Sequence, residues 1–228
     1  MRYSHPIQLI RSAKNARYIP KHEFIRLHVK DRDVLDLGCV AHSLSFCLNF
    51  PHRWLHNTIR SHARSALGVD LLEKEITELQ KMGYNVIYGD AQTLRLGRKF
   101  DVVVCGDLIE HVANPAALLD TMACHIQDDG IAIVTTPNPF AITRFFNILA
   151  DGWTAINTEH TFWICPQTMF QLVDRSRLCV ADFSWLKTDF PMLTTHRFWG
   201  PLLNSIAPRI ANKNQLFRND YGVVLRKR

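Results

Sequence analysis

Short β-branched runs alternate with amphipathic helical stretches through the middle of the chain. This is the pattern of a parallel sheet covered by helices on both faces. The first run, DVLDL at 33–37, stops at Gly38, and the second is SALGVD at 65–70. A helix follows with Leu72, Ile76 and Leu79 on its apolar side, and Gly83 ends it. The third run, NVIY at 85–88, leads into Gly89-Asp90. The fourth covers 100–105, and its Val102-Val103-Val104 has no polar alternate, so both faces should be buried. Asn114-Pro115 is a helix start, with Leu118, Leu119, Met122 and Ile126 in one stripe and Asp128-Asp129-Gly130 closing the element. The fifth strand is 131–135.

Beyond it, Ile142, Phe145, Phe146 and Leu149 predict an amphipathic helix. A loop over 151–165 follows, then a helix from Pro166 with Met169, Leu172 and Val173 inward. Strand patterns return at 178–186 and 221–225; the stretch between them, 187–220, reads as irregular and aromatic. The expected organisation of the 228 residues is one domain. A helical segment occupies 1–30, a cofactor-binding core 31–140, an acceptor-side lid and insert 141–220, and the last strand 221–228.

Composition narrows the class. The 47% hydrophobic and 21% charged fractions are those of a globular protein. No stretch approaches the roughly 20 apolar residues that span a bilayer, and residues 1–30 lack the continuous apolar core of a secretory signal. The expected location is cytoplasmic. Six cysteines show no C-x-x-C pair, which reads as buried free thiols rather than disulfides or zinc ligands. The net charge of +6 is concentrated at the ends, from Arg2 to Lys21 and from Arg218 to Arg228. These cations are not interleaved with stacking aromatics, which disfavours nucleic acid as a partner.

The chemistry lies at the strand ends. Asp36-Leu37-Gly38-Cys39, Val69-Asp70, Gly89-Asp90-Ala91 and Cys105-Gly106-Asp107 follow four successive strands. Ligands of open α/β sheets bind outside these carboxyl ends. A glycine after the first strand lets backbone approach a ligand. An acid after the second can hold both hydroxyls of a ribose, and one after the third can accept from an exocyclic amine such as adenine N6. In this order they point to an adenosine-type cofactor.

Together VLDLGC (34–39), GVD (68–70), GDA (89–91), FDVVVCGDLIEHVANP (100–115) and TTPNP (135–139) resemble the motifs of class I S-adenosylmethionine-dependent methyltransferases. The closest flavour is the small bacterial group acting on quinones, sugars and polysaccharide precursors, and the resemblance covers roughly 34–180. It implies an α/β, Rossmann-like three-layer sandwich with a mostly parallel seven-stranded sheet whose last strand is antiparallel. It also implies S-adenosyl-L-methionine as cofactor. Gly38 and Cys39 would line its methionine part, Asp36 would order the amino group, and Asp70 would bind the ribose with Leu71 behind the adenine. Asp90 and Ala91 would hold the adenine edge, and Gly106 and Asp107 would lie beneath the sulfonium.

One departure is that the family's G-x-G-x-G is here Gly38-Cys39-Val40-Ala41-His42, so Val40 and His42 replace two glycines. That argues against a dinucleotide dehydrogenase, which needs glycines for the pyrophosphate. His42 would lie beside the methionine end. Asp36 and Asp70 are 34 positions apart (70 − 36), against about 20 in the dinucleotide pattern. The extra stretch, 43–63, should be an elaboration near the cofactor mouth or plain structural filler.

Methyl transfer asks mainly for alignment, with a general base if the acceptor is a hydroxyl. His111, in Glu110-His111-Val112, and His160, in Asn157-Thr158-Glu159-His160, are the candidates; for each, bracing a loop is the alternative role. No metal is expected, because Asp107, Glu110 and His111 match no ligand set of recognised spacing. The acceptor is expected to be a small molecule methylated on oxygen: a sugar, polysaccharide precursor or related metabolite, in some cases lipid-linked. An RNA methyltransferase and a non-catalytic binding protein of this fold are the alternatives. The aromatic stretch 190–210 could be a lid, a dimer contact, a peripheral membrane patch or core packing. The oligomeric state is not legible.

Overall fold

The apolar runs pair side by side as the alternation requires. The computed structural model describes residues 13–152, 157–187 and 200–228. Strands β1 (Arg17–Pro20), β2 (Asp33–Leu37), β3 (Ser65–Asp70), β4 (Val86–Tyr88), β5 (Phe100–Gly106), β6 (Ile126–Pro137), β7 (Leu178–Lys187) and β8 (Asp220–Lys227) form one sheet. Their order is β1-β7-β8-β6-β5-β2-β3-β4. Only β8 runs antiparallel, to β6 and to β7. This is the expected Rossmann-like, mostly parallel arrangement with an antiparallel last strand, plus an eighth strand at the β7 edge.

That extra strand corrects the helical reading of the N-terminal segment; residues 1–12 of it lie outside the described residues. Arg17–Pro20 pairs parallel to β7 through Arg17↔Ser184 to Pro20↔Lys187. Four residues are too few for alternation to announce a strand, and Pro20 suits an edge, where no ladder N–H is needed. Helix α1 (Lys21–Val29) follows at once.

Helices cover both faces: α2 (Leu44–Asn49), α3 (Leu55–His62), α4 (Glu73–Lys81), α5 (Pro115–His125), α6 (Ile142–Asp151), α7 (Pro166–Asp174) and α8 (Gly200–Lys213). Strand β5 shows why its valines are unbroken. Val103 and Cys105 pack with Leu118, Met122 and Met169 on one face. Val102 and Val104 pack with Phe24, Ile25 and Ile59 on the other. Both faces are dry, so neither alternate position can be polar.

Two further boundaries differ from the sequence reading, and the stretch 43–63 gains its structure. Helix α5 ends at His125, and Asp128-Asp129-Gly130 lie inside β6, beside a register irregularity opposite Phe100 and Val102. The stretch taken as irregular, 187–220, contains α8 and a 3-10 turn, Gln215–Phe217. Its composition hides the helix because Pro208 interrupts the pattern; residues 188–199, with Phe198 and Trp199, lie outside the described residues. The stretch 43–63 is two helices, whose Trp54 and His56 are buried. Among the described residues no helix is long and apolar enough to cross a membrane.

Candidate active site

The register brings the four chemical strand ends to one edge. Leu37 is opposite both Val69 and Cys105, Asp70 is opposite Tyr88, and Gly106 is opposite Thr135. The sheet order reverses at β2, between β3 and β5, so the loops after β2 and β5 flank the crevice where such sheets bind ligands.

The loop after β2 makes its turn with one glycine. Gly38 has φ +79, a left-handed value that favours glycine. His42, at the third glycine's place, still adopts φ +57, so the backbone keeps the turn although the side chain has changed. Val40, at the second, donates its N–H to Asp70 Oδ2 at 2.9 Å. Asp70 Oδ1 accepts from Leu72 N at 3.2 Å. Burial raises the Asp70 pKa, and these backbone donors counter it. Leu71 is exposed beside it. After β4, Asp90 accepts from Gln92 N at 2.8 Å, and Ala91 is buried.

Two of the expected cofactor residues point inward instead. Asp36 is buried with its Oδ2 2.8 Å from His56 Nδ1. The Cys39 thiol is buried, burial pushing its pKa up, and lies where a side chain on Gly68 would collide with it. What Cys39 offers the loop is backbone, and its carbonyl already accepts from Trp54 Nε1 at 2.6 Å. The two helices of the 43–63 insert therefore brace the glycine-poor loop from beneath.

After β5, Gly106 leaves room for Leu55, which a side chain there would strike. Asp107 takes φ +50. Its Oδ1 accepts from Thr135 Oγ1 at 2.9 Å, and Lys21 Nζ lies 2.5 Å from Oδ2 and 3.1 Å from Asp220 Oδ2. Burial opposes the Lys21 charge, and the two carboxylates outweigh it, holding the ammonium above its ordinary range. Burial likewise pushes Asp107 up, and Lys21 reverses that, so its carboxyl stays below the usual value.

The motif Glu110-His111 meets the loop that carries His160. The His111 and His160 rings stand edge to face, centroids 4.6 Å apart. The loop is pinned by Glu110, whose carbonyl accepts from Thr161 N at 2.8 Å and Phe162 N at 3.1 Å. Burial lowers both imidazole pKa values, His160 to about 4 with help from His111, so both rings are neutral at pH 7. Glu110 is buried; its Oε2 accepts from Thr136 Oγ1 at 2.9 Å, and Oε1 has no partner. Burial, then Asp107, raises it to about 8, the range suited to moving a proton near neutrality. One ligand atom each from Glu110, His111 and His160 lie within 4.8 Å of one another, a set able to hold a cation; reading the motif by spacing alone omits His160 from it.

Beside this cluster is a narrow recess lined by Glu110, Arg144, His160, Phe162 and Trp163. Sequence reasoning missed Lys21, Arg144 and Trp163 because each comes from an element with no motif. Glu110 stands inside E-H-V, where spacing alone marks it only as a candidate metal ligand.

The comparisons with known proteins bear on the family and the fold. A family model described as a methyltransferase domain matches residues 10–179. A ubiquinone biosynthesis O-methyltransferase of Rickettsia prowazekii is 28% identical over 114 residues, 47% of this chain and 45% of the relative. One from Coxiella burnetii is 25% identical over 169 residues, 71% of this chain and 62% of the relative. The aligned chain thus spans less than two thirds of the length of either relative. Among solved structures, a SAM-dependent methyltransferase from Archaeoglobus fulgidus has a TM-score of 0.53 at 17% identity, over 100% of this chain and 95% of that one. A magnesium protoporphyrin IX methyltransferase from Synechocystis with bound SAH has a TM-score of 0.55 at 13% identity, over 97% and 86%.

Proposed function

The chain belongs to the methyltransferase-domain family, whose methyl donor is S-adenosylmethionine, and from that premise we propose that it methylates an oxygen of a small-molecule acceptor in the cytoplasm. The observation that carries the reading is the His111–His160 pair, two neutral imidazoles beside Glu110 at a recess walled by Phe162 and Trp163. Similarity to O-methyltransferases supports oxygen as the atom methylated.

The residues present fit the cofactor. Carboxylates stand at the ends of β3 and β4 in the order ribose and adenine require, and a ligand without phosphate does not need the missing glycines. We assign Asp70 to the ribose with Leu71 against the base, Asp90 and Ala91 to the adenine edge, and the backbone of Gly38, Cys39 and His42 to the methionine part. Gly106 and Asp107 form the floor at the reacting methyl. Asp36 acts from behind, through His56.

When bound, S-adenosylmethionine supplies an electrophilic methyl group on a sulfonium that leaves as a thioether. The protein must then align the acceptor oxygen and remove its proton. His160 is assigned that proton, with His111 packed against it and Glu110 buried beside the pair. An aromatic wall accommodates either a sugar or a phenolic ring, so sugars, polysaccharide precursors and related ring metabolites stay within the proposed class.

The test is calorimetry with S-adenosylmethionine, followed by transfer of labelled methyl to catechol and sugar acceptors. Cofactor binding with label on an oxygen is expected. No cofactor binding would return the chain to a binding role, and salt-sensitive RNA binding with label on RNA would favour the nucleic-acid reading.

A further inference from the structure

We propose that the recess selects an acceptor whose ring carries an anionic group, a carboxylate or a phosphate, and that Arg144 reads that charge. The inference rests on the small-molecule reading above and narrows its substrate class.

Arg144 is only 6% exposed, yet among the described residues no carboxylate lies within ion-pair distance of its guanidinium. Its Nε donates to Asn138 O at 3.1 Å, which occupies one of five N–H groups. The remaining contact is with Trp163, whose ring centroid lies 5.3 Å from Cζ. Burial lowers the Arg144 pKa, and Asp220 and Glu110 offset it only from a distance.

The position makes matters worse for the free protein. Arg144 stands in the first turn of α6, where the helix dipole disfavours a cation. A buried cation with no carboxylate partner at the wrong end of a helix is a poor structural device. A single backbone hydrogen bond to the Asn138 loop could be made without a charge. Arg144 itself lines the recess that Glu110 and His160 also line. A guanidinium presents a planar fork matched to carboxylate or phosphate oxygens. An acceptor anchored there would have its ring against Trp163 and Phe162 and its hydroxyl edge toward His160.

The experiment compares benzoate, phenyl phosphate and neutral benzamide binding to the unmodified protein by calorimetry, then repeats it with Arg144→Gln. We expect benzoate or phenyl phosphate to bind at least tenfold more tightly than benzamide, and the arm that does so identifies the anion. In Arg144→Gln the ratio should fall to within about twofold. Equal binding of all three, or a preference that survives the substitution, overturns the proposal. If Arg144→Gln does not fold, Arg144→Lys keeps the charge but loses the fork, and the expected loss is severalfold. An unchanged ratio in that variant overturns the proposal as well. Failure of the methylation reading would be seen separately, as no label reaching any small acceptor.

Discussion

The carboxylate of Asp36 lies 2.8 Å from Nδ1 of His56, and both side chains are sealed from solvent beneath the loop that follows β2. His56 comes from the insert between β2 and β3, so an added segment satisfies an acid of the core motif. Removing one partner of such a buried pair leaves the other unmet. His56→Ala should therefore destabilise the protein by about 3 kcal/mol, read from urea unfolding. A loss near zero would mean that Asp36 turns toward the crevice once released.

Asp70 holds Val40 and Leu72 by their backbone N–H groups, tying the β2 loop to the end of β3. Asp70→Ala should weaken S-adenosylmethionine at least tenfold in calorimetry, since it removes both the assigned ribose acceptor and the tie. Asp70→Asn keeps a carbonyl acceptor and should lose less. Equal affinity in all three proteins would remove Asp70 from the cofactor site.

These two acids show what was legible. The strands β2 and β3 were readable to the residue because each is a short, mainly apolar run that stops at a polar or glycine residue, Gly38 after β2 and Asp70 at the end of β3. The pattern cannot say which way a strand-end side chain turns. Asp36 and Asp70 look alike in sequence, and only the position of His56 separates them. Likewise β1 is short, α8 contains Pro208, and Arg144 sits in a motif-free helix turn; each depends on long-range packing that local spacing does not encode.

Glu110 should give stability a distinct pH dependence. Its pKa is raised in the fold to about 8, by burial and then by Asp107, so the folded state binds the proton more tightly than the unfolded chain. Its contribution is complete below the ordinary glutamate pKa of about 4.3 and is lost as pH rises toward 8. Between those limits the slope is at most about 1.4 kcal/mol per pH unit. Glu110→Gln should flatten the stability profile across that window in unfolding measured at several pH values. An identical slope in both proteins would show that Glu110 is ionised throughout.

His160 is assigned the acceptor's proton, whereas the cofactor contacts come from other loops. His160→Ala should lower kcat by about a hundredfold while the S-adenosylmethionine Kd stays within about twofold. Turnover at the original rate would leave His160 only its packing against His111.

Lys21 links the extra N-terminal elements to the proposed floor of the site, its ammonium lying between Asp107 of the β5 loop and Asp220 of β8. The pairs are worth little as a gain over apolar packing, but removing the cation leaves two acids facing each other with no counter-charge. Lys21→Met should cost about 3 kcal/mol near pH 8, the low end for a buried pair, because water screens the half-exposed Asp107 and only Asp220 is left fully buried. Without Lys21, burial and mutual repulsion hold both carboxyl pKa values above their unfolded values, so the deficit must shrink as pH falls and the acids take up protons. Lys21→Met combined with Asp220→Asn removes the repulsion and should recover part of the loss at pH 8. Urea unfolding of the three proteins at pH 5 and pH 8 decides it: a deficit independent of pH and untouched by the second substitution would mean that Lys21 contributes packing rather than charge.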